Sequence, residues 1–163
     1  MMGELSVTQF LRDKLGEKPG NVVWNGEVIG THRGLWFATI GQRGGWEINP
    51  SKQTSEMPPL YVAGKDTVKN QLIVGEKSES MRSIIGLMTY DLRIGSSKLQ
   101  KLIEKKYLNV RIRNLGELVR VNRMGQNQIE VCEPVFAPAE GQSAVFYDEA
   151  GRVVGGAIIG SCI

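Results

Sequence analysis

With 163 residues, 41% apolar and 23% charged, the chain is long enough for one ordinary globular domain or two small ones. No apolar run approaches the roughly 20 residues of a membrane span, and nothing at the N-terminus has the pattern of a secretory leader, which points to a soluble cytoplasmic protein. Two cysteines, Cys132 and Cys162, and a single histidine, His32, exclude a disulfide scaffold and a His/Cys metal centre. The net charge of +3 is unevenly held: residues 98–123 carry 8 basic and 2 acidic side chains, against 11 and 10 in residues 1–97 and 1 and 5 in 124–163. A cationic window of this kind attracts polyanions by releasing their condensed counterions, although exposed Lys and Arg are also the ordinary state of these residues.

In chain order, Ser6-Val7-Thr8-Gln9 reads as a capping box opening a short helix with Val7, Phe10, Leu11 and Leu15 on one face, stopped by Gly16 and Pro19-Gly20. Asn25-Gly26 between Val22–Trp24 and Glu27–Ile29 is a two-residue hairpin signal, because a type I′ turn needs positive φ at both central positions. Leu35–Ile40 predicts a further strand and Gly41–Pro59 a long surface loop. Leu60–Lys65 and Gln71–Glu76 predict paired strands around Asp66–Asn70, followed by a long strand over Arg82–Ile94.

Gly95-Ser96-Ser97 marks the expected boundary between two domains, 1–94 and 95–163. Ser97 and Gln100 would cap a short amphipathic helix through Leu99, Leu102 and Ile103. Strands are expected at Tyr107–Arg113, Leu118–Asn122, Gln128–Glu133, Ser143–Tyr147 and Val153–Ile159. Short strands with turn signals every 8 to 12 residues specify a mainly β fold, two small β-rich barrel-like domains preceded by a short helix.

Catalytic chemistry is hard to find. Gly41-Gln42-Arg43-Gly44-Gly45 lacks the Lys-Ser/Thr of a phosphate loop and the dinucleotide spacing, and Gly155-Gly156 falls in an apolar terminal strand, where close backbone packing is the simpler explanation. Cys132 sits in a strand pattern, Cys162 beside the terminus, and His32 reads as a hydrogen-bonded structural histidine. Asp148-Glu149 falls in a turn, where solvation is the ordinary reading. No catalytic residue is therefore assigned. Arg111 and Arg113 differ: on a strand they share one face, about 6–7 Å apart, while Val110 and Ile112 enter the core, so two bidentate donors stand at the spacing of successive phosphates. Asn114 and Gln142 are amides at loop edges, able to read a base or a 2′-hydroxyl, or simply to build turns.

Gly34-Leu35-Trp36-Phe37-Ala38-Thr39-Ile40-Gly41-Gln42-Arg43 and Pro138-Ala139-Glu140-Gly141-Gln142-Ser143-Ala144-Val145-Phe146-Tyr147 closely resemble segments of the tRNA-specific 2-thiouridylases. Tyr61–Asp66 with Asn70, Leu72 and Val74, Val110–Arg113, and Gly155–Ile159 fit the same family in the same order. The resemblance implies a central β-rich domain and a C-terminal barrel similar to the second domain of elongation factor Tu. It implies a sulfur transferase acting at C2 of the wobble uridine, with ATP and Mg used by a separate pyrophosphatase domain and sulfur delivered from a cysteine persulfide. The family's Ser-Gly-Gly-x-Asp-Ser loop and both catalytic cysteines are absent from these residues; the second cysteine would stand just before Gly3-Glu4, where the chain reads Met1-Met2. An isolated or truncated non-catalytic half, inactive alone, is the expectation.

Residue by residue, the resemblance makes Arg113 the arginine of an Arg-Tyr pair that contacts tRNA, with Asn114 in the tyrosine's place, and makes Gln142 a tRNA contact. His32, Gln42 and Arg43 match family positions without an assigned role, and Gly44–Pro50 departs from the glycine-rich run usual there. The leading expectation is a monomeric module in which Arg111, Arg113, Asn114 and Gln142 hold the tRNA anticodon region. The alternatives are a free-standing translation-associated RNA-binding module and a docking module for a sulfur-relay persulfide donor.

Overall fold

A computed structural model describes residues 7–113 and 116–162 and divides the chain into two compact units, Met1–Ser80 and Met81–Ile163. In the first, α1 (Val7–Leu15) ends at Gly16, whose φ of +68° lets its amide reach the Arg12 carbonyl at 2.8 Å. The Ser6 end of the expected capping box lies outside the described residues. Val7, Phe10 and Leu15 are exposed on this helix.

β1 (Gly20–Trp24) and β2 (Glu27–His32) form the expected hairpin, with Asn25 and Gly26 at φ +50° and +80°. β3 (Glu47–Ile48) adds to the β2 edge from within the long loop, and β4 (Tyr61–Asp66) pairs antiparallel with β5 (Gln71–Gly75). A parallel β1–β5 pairing completes a five-stranded sheet of order β3-β2-β1-β5-β4. Val22, Ile29, Leu60, Val62, Leu72 and Val74 fill its core.

Leu35–Ile40 does not form the strand that its apolar run predicts. Leu35–Phe37 is a 3-10 turn, with the Phe37 and Ala38 amides donating to the Gly34 and Leu35 carbonyls. A three-residue period buries Leu35 and Ala38 together, while the Trp36 indole N–H donates to the Gly16 carbonyl at 3.2 Å. An alternating strand would have put Leu35 and Ala38 on opposite faces.

The second unit is a closed antiparallel barrel. Its strands are β6 (Met81–Leu92), β7 (Asn109–Arg111), β8 (Val119–Met124), β9 (Gln128–Phe136), β10 (Ser143–Tyr147) and β11 (Val153–Cys162). They run round the ring in the order β10-β11-β6-β9-β8-β7, and β7 returns to β10. Inside lie Ile85, Leu108, Val110, Val121, Ile129, Ala144, Phe146 and Ile159, all with no measurable exposure. β6 corrects the expected domain boundary: it is hydrogen-bonded to β9 on one side and β11 on the other, so it belongs wholly to the barrel and the division falls after Ser80 rather than Ile94. α2 (Ser96–Glu104) comes after it, with Leu102 buried in the barrel core and Leu99 and Ile103 packed against it. The cap residue of α2 is Gly95, whose carbonyl accepts from the Lys98 and Leu99 amides, rather than Ser97.

Asp148 also departs from expectation: it is buried, 4% exposed, rather than solvated in its turn. Its Oδ1 accepts from the Ala150 and Arg152 amides, both at 3.0 Å, and its Oδ2 from the Arg152 guanidinium at 2.9 and 2.8 Å. These donors, those of Arg152 first, hold the carboxyl below the ordinary aspartate pKa. The stabilisation is therefore fully present above pH ~4 and is lost as the pH falls through the depressed folded-state value. Asp148→Asn should lower the urea midpoint at pH 7, and the midpoint should then fall less than that of the parent between pH 5 and pH 2.

Candidate nucleic-acid interface

The closing strand pair builds the site. β7 lies against β10 with Asn109 opposite Tyr147, Val110 opposite Phe146 and Arg111 opposite Val145. β7 is shorter than the expected Tyr107–Arg113 strand, but the alternation carries on past its end: Val110 and Ile112 are buried, and Arg111 and Arg113 are partly exposed. The Arg111 guanidinium lies over the Tyr147 ring, 5.5 Å from its centroid, and that of Arg113 over Phe136 at 5.7 Å. Arg113 also donates to the Ala137 carbonyl at 2.7 Å. The Nε atoms of both arginines are buried without a partner among the described residues. Two cations are thus fixed against aromatic faces that favour their charge.

Gln142 joins them through a turn. Ala139-Glu140-Gly141-Gln142 is a β-turn in which the Gln142 amide donates to the Ala139 carbonyl at 3.1 Å and Gly141 takes φ +82°. The Gln142 side-chain Oε1 accepts from the Ala139 amide at 2.9 Å, so the side chain staples its own turn. The turn is laced to β11 by Gly141 N–H to Ile159 O (2.9 Å) and Ile159 N–H to Gln142 O (2.8 Å). This leaves the Gln142 Nε2 without a protein acceptor among the described residues. Arg111, Arg113 and Gln142, with Ser143, Val145 and Tyr147, line one depression of about 450 Å³. Three of the four residues expected to hold tRNA are brought together; Asn114 lies outside the described residues. Sequence reasoning missed Tyr147 and Phe136 as the platforms beneath the arginines. Tyr147 could have been found from the register, since it stands diagonal to Arg111 across the β7–β10 pair.

The first unit holds the same turn. Thr39-Ile40-Gly41-Gln42 has Gly41 at φ +80°, Gln42 N–H to Thr39 O at 2.9 Å, and Thr39 N–H to Gln42 Oε1 at 2.9 Å. Val62 laces it as Ile159 laces the other. Here, however, the Gln42 Nε2 donates one of its two N–H groups to the Gly44 carbonyl at 3.0 Å. Gln42 and His32 contribute to the wall of a separate cavity of about 470 Å³, and Arg43 is exposed outside that lining. His32 is buried, and a carbonyl partner, Asn70 O at 3.2 Å, requires its Nε2 to carry the proton. Asn70, at φ +52°, donates in turn to the Pro19 carbonyl, which makes this cluster a brace between strand ends.

The glycine run Gly41–Gly45 does not form a phosphate loop. Gly41–Gly45 leads into β3 rather than a helix N-terminus, its glutamine is closed on its own turn, and the described residues contain no group of three His, Cys, Asp or Glu placed to hold a metal. The cationic window behaves differently. Lys98, Lys101, Lys105 and Lys106, on and just after α2, and Arg120 and Arg123 on β8 are exposed. Among the described residues none of its eight cations makes an ion pair. No helix is long and apolar enough to cross a membrane.

Comparison with known proteins agrees with this division. Residues 8–76 match the family profile described as the tRNA methyl transferase PRC-barrel domain, and residues 90–159 the aminomethyltransferase beta-barrel domain. Both profiles are described as barrel domains. Over the portion it spans, the chain is similar throughout to the tRNA-specific 2-thiouridylases. It is 39% identical over 167 residues to the tRNA-specific 2-thiouridylase MnmA of Shewanella halifaxensis, covering 99% of this chain and 44% of the relative. The MnmA proteins of Shewanella piezotolerans (40% over 163 residues; 97% and 43%) and Proteus mirabilis (37% over 161; 96% and 44%) are similar. The chain therefore spans less than half the length of these curated relatives.

Because Gly141 sits where an L side chain is strained, Gly141→Ala should cost about 1–2 kcal/mol, measured by urea unfolding. An unchanged midpoint would show that the turn relaxes.

Proposed function

We propose that this chain is the tRNA-binding, non-catalytic part of a tRNA 2-thiouridylase, holding the anticodon region while C2 of the wobble uridine is thiolated elsewhere in the enzyme. The observation that carries this reading is the convergence of Arg111, Arg113 and the unsaturated Gln142 amide on one depression. Guanidinium groups fixed on aromatic faces suit phosphate oxygens bidentately. An amide donor beside them suits a 2′-hydroxyl or a base carbonyl. The lysines of α2 add a field that draws a polyanion in without specifying where it sits.

ATP and Mg would be held outside the residues described here, and the chain alone would not thiolate tRNA. Incubation with ATP, Mg and a persulfide donor should yield no 2-thiouridine by mass spectrometry of digested tRNA. For binding, Arg113→Ala should weaken tRNA affinity and reduce the slope of log affinity against log salt by about one. Lys101→Ala should change the slope without discriminating among RNAs. Unchanged affinity and slope for Arg113→Ala would remove that residue from the interface.

A further inference from the structure

Two adjacent glycines in β11 differ in what the fold asks of them. A Cβ on Gly155 would stand 2.5 Å from the Asp91 carbonyl oxygen and 2.6 Å from Leu92 Cδ2, so packing requires glycine there. A Cβ on Gly156 would meet only the Ala144 carbonyl oxygen, at an ordinary 3.6 Å, and Gly156 has no positive φ. Neither packing nor backbone conformation asks for glycine at 156, and in a strand interior glycine is a destabilising choice.

Its position on the barrel is informative. The register aligns Arg111 (β7), Val145 (β10), Gly156 (β11) and Asp91 (β6) in one row across four strands, a width of about 14 Å. Gly156 is the gap in that row. Around it Val145, Ile158, Thr89 and Asp91 line a groove of about 360 Å³ on the outer face. The groove shares Ser143 and Val145 with the depression that holds Arg111, Arg113 and Gln142, so the two adjoin. The row is also polar end to end. Cations stand at one side, an apolar floor lies between, and at the other side is a carboxylate with no ion-pair or hydrogen-bond partner among the described residues.

We propose that the groove over Gly156 seats the base or ribose of one unpaired nucleotide whose phosphate is held at Arg111 and Arg113, with Asp91 accepting a hydrogen bond from an N–H or 2′-hydroxyl of that nucleotide. This rests on the RNA-binding reading of the arginine depression and deepens it. The row explains the orientation: Asp91 repels a phosphate, so the anionic end of the nucleotide stays at the arginines and its donor edge turns toward the carboxylate. The missing side chain at 156 leaves the space in which the base lies flat against Val145 and Ile158. A base-paired stem cannot enter, because its bases are already stacked and paired.

The test uses the full 163-residue chain with two RNA probes of equal length, an anticodon stem-loop and a fully paired duplex, in a binding titration at fixed salt. Gly156→Val fills the groove, and because a Cβ there meets only an ordinary contact the variant's melting temperature should be no lower than the parent's, with Gly156→Ala a smaller graded change. The expected result is about a tenfold loss of stem-loop affinity for Gly156→Val, a smaller loss for Gly156→Ala, and unchanged duplex affinity. Asp91→Asn separates hydrogen bonding from bulk charge. Removing a negative charge near RNA should tighten binding if only the field matters, whereas the proposed contact requires stem-loop binding to weaken several-fold. If Arg113→Ala weakens binding and neither Gly156→Val nor Asp91→Asn does, the groove is not occupied and the proposal falls while the wider reading stands. If none of the three changes binding, or the parent binds neither probe, both fall.

Discussion

The pairing of β7 with β10 is the constraint on which the rest of the second unit depends. β7 is only three residues long, Asn109–Arg111, yet it closes the barrel and so leaves the ring with no free sheet edge. Closure fixes register, and register fixes chemistry: with Val110 opposite Phe146 inside, Arg111 must stand outside, diagonal to Tyr147. A slip of one residue would drive both arginines into a core built around Phe146, Leu108 and Ile129. The energetic demand of a dry core is therefore what positions the cations.

Much of this was legible in the chain. Period-two alternation at Val110-Arg111-Ile112-Arg113, the Asn25-Gly26 turn and the glycine stop at Gly16 are local rules, and the structure obeys them. What could not be read locally was non-local partnership. Arg82–Ile94 looks like the last strand before a glycine-serine break, but β6 has both its hydrogen-bonding edges taken by β9 and β11, far along the chain. Leu35–Ile40 has strand composition, and only the need to bury Leu35 and Ala38 side by side makes a 3-10 turn the better solution. Asp148 reads as a solvated turn residue until Arg152, four positions on, covers it. The outward placement of Arg111 and Arg113 and the turn position of Gln142 are readable from the sequence, whereas the aromatic rings beneath the arginines depend on strand neighbours that sequence order does not reveal.

The Gly-Gln turn shows how one local device can serve two ends. In both units the glutamine oxygen binds the amide three residues back, and a neighbouring strand laces the turn on both sides. The two turns differ in the residues just after the glutamine. Gly44 offers a carbonyl that engages one N–H of the Gln42 amide, whereas Gln142 runs directly into β10 and has neither N–H engaged by the described residues. The first turn is therefore the more self-contained architecture, and the second is the same architecture with its side-chain donors left open.

The seating of Arg111 on Tyr147 and Arg113 on Phe136 bears on time as well as affinity. A guanidinium already held against a ring has lost its rotamer freedom during folding, so capturing an anion adds little ordering cost. The exposed lysines of α2 are the opposite, mobile point charges that act through the field and lose freedom when they clasp anything. For any polyanion approaching the barrel, the lysines would govern how often it arrives and the arginines how long it stays.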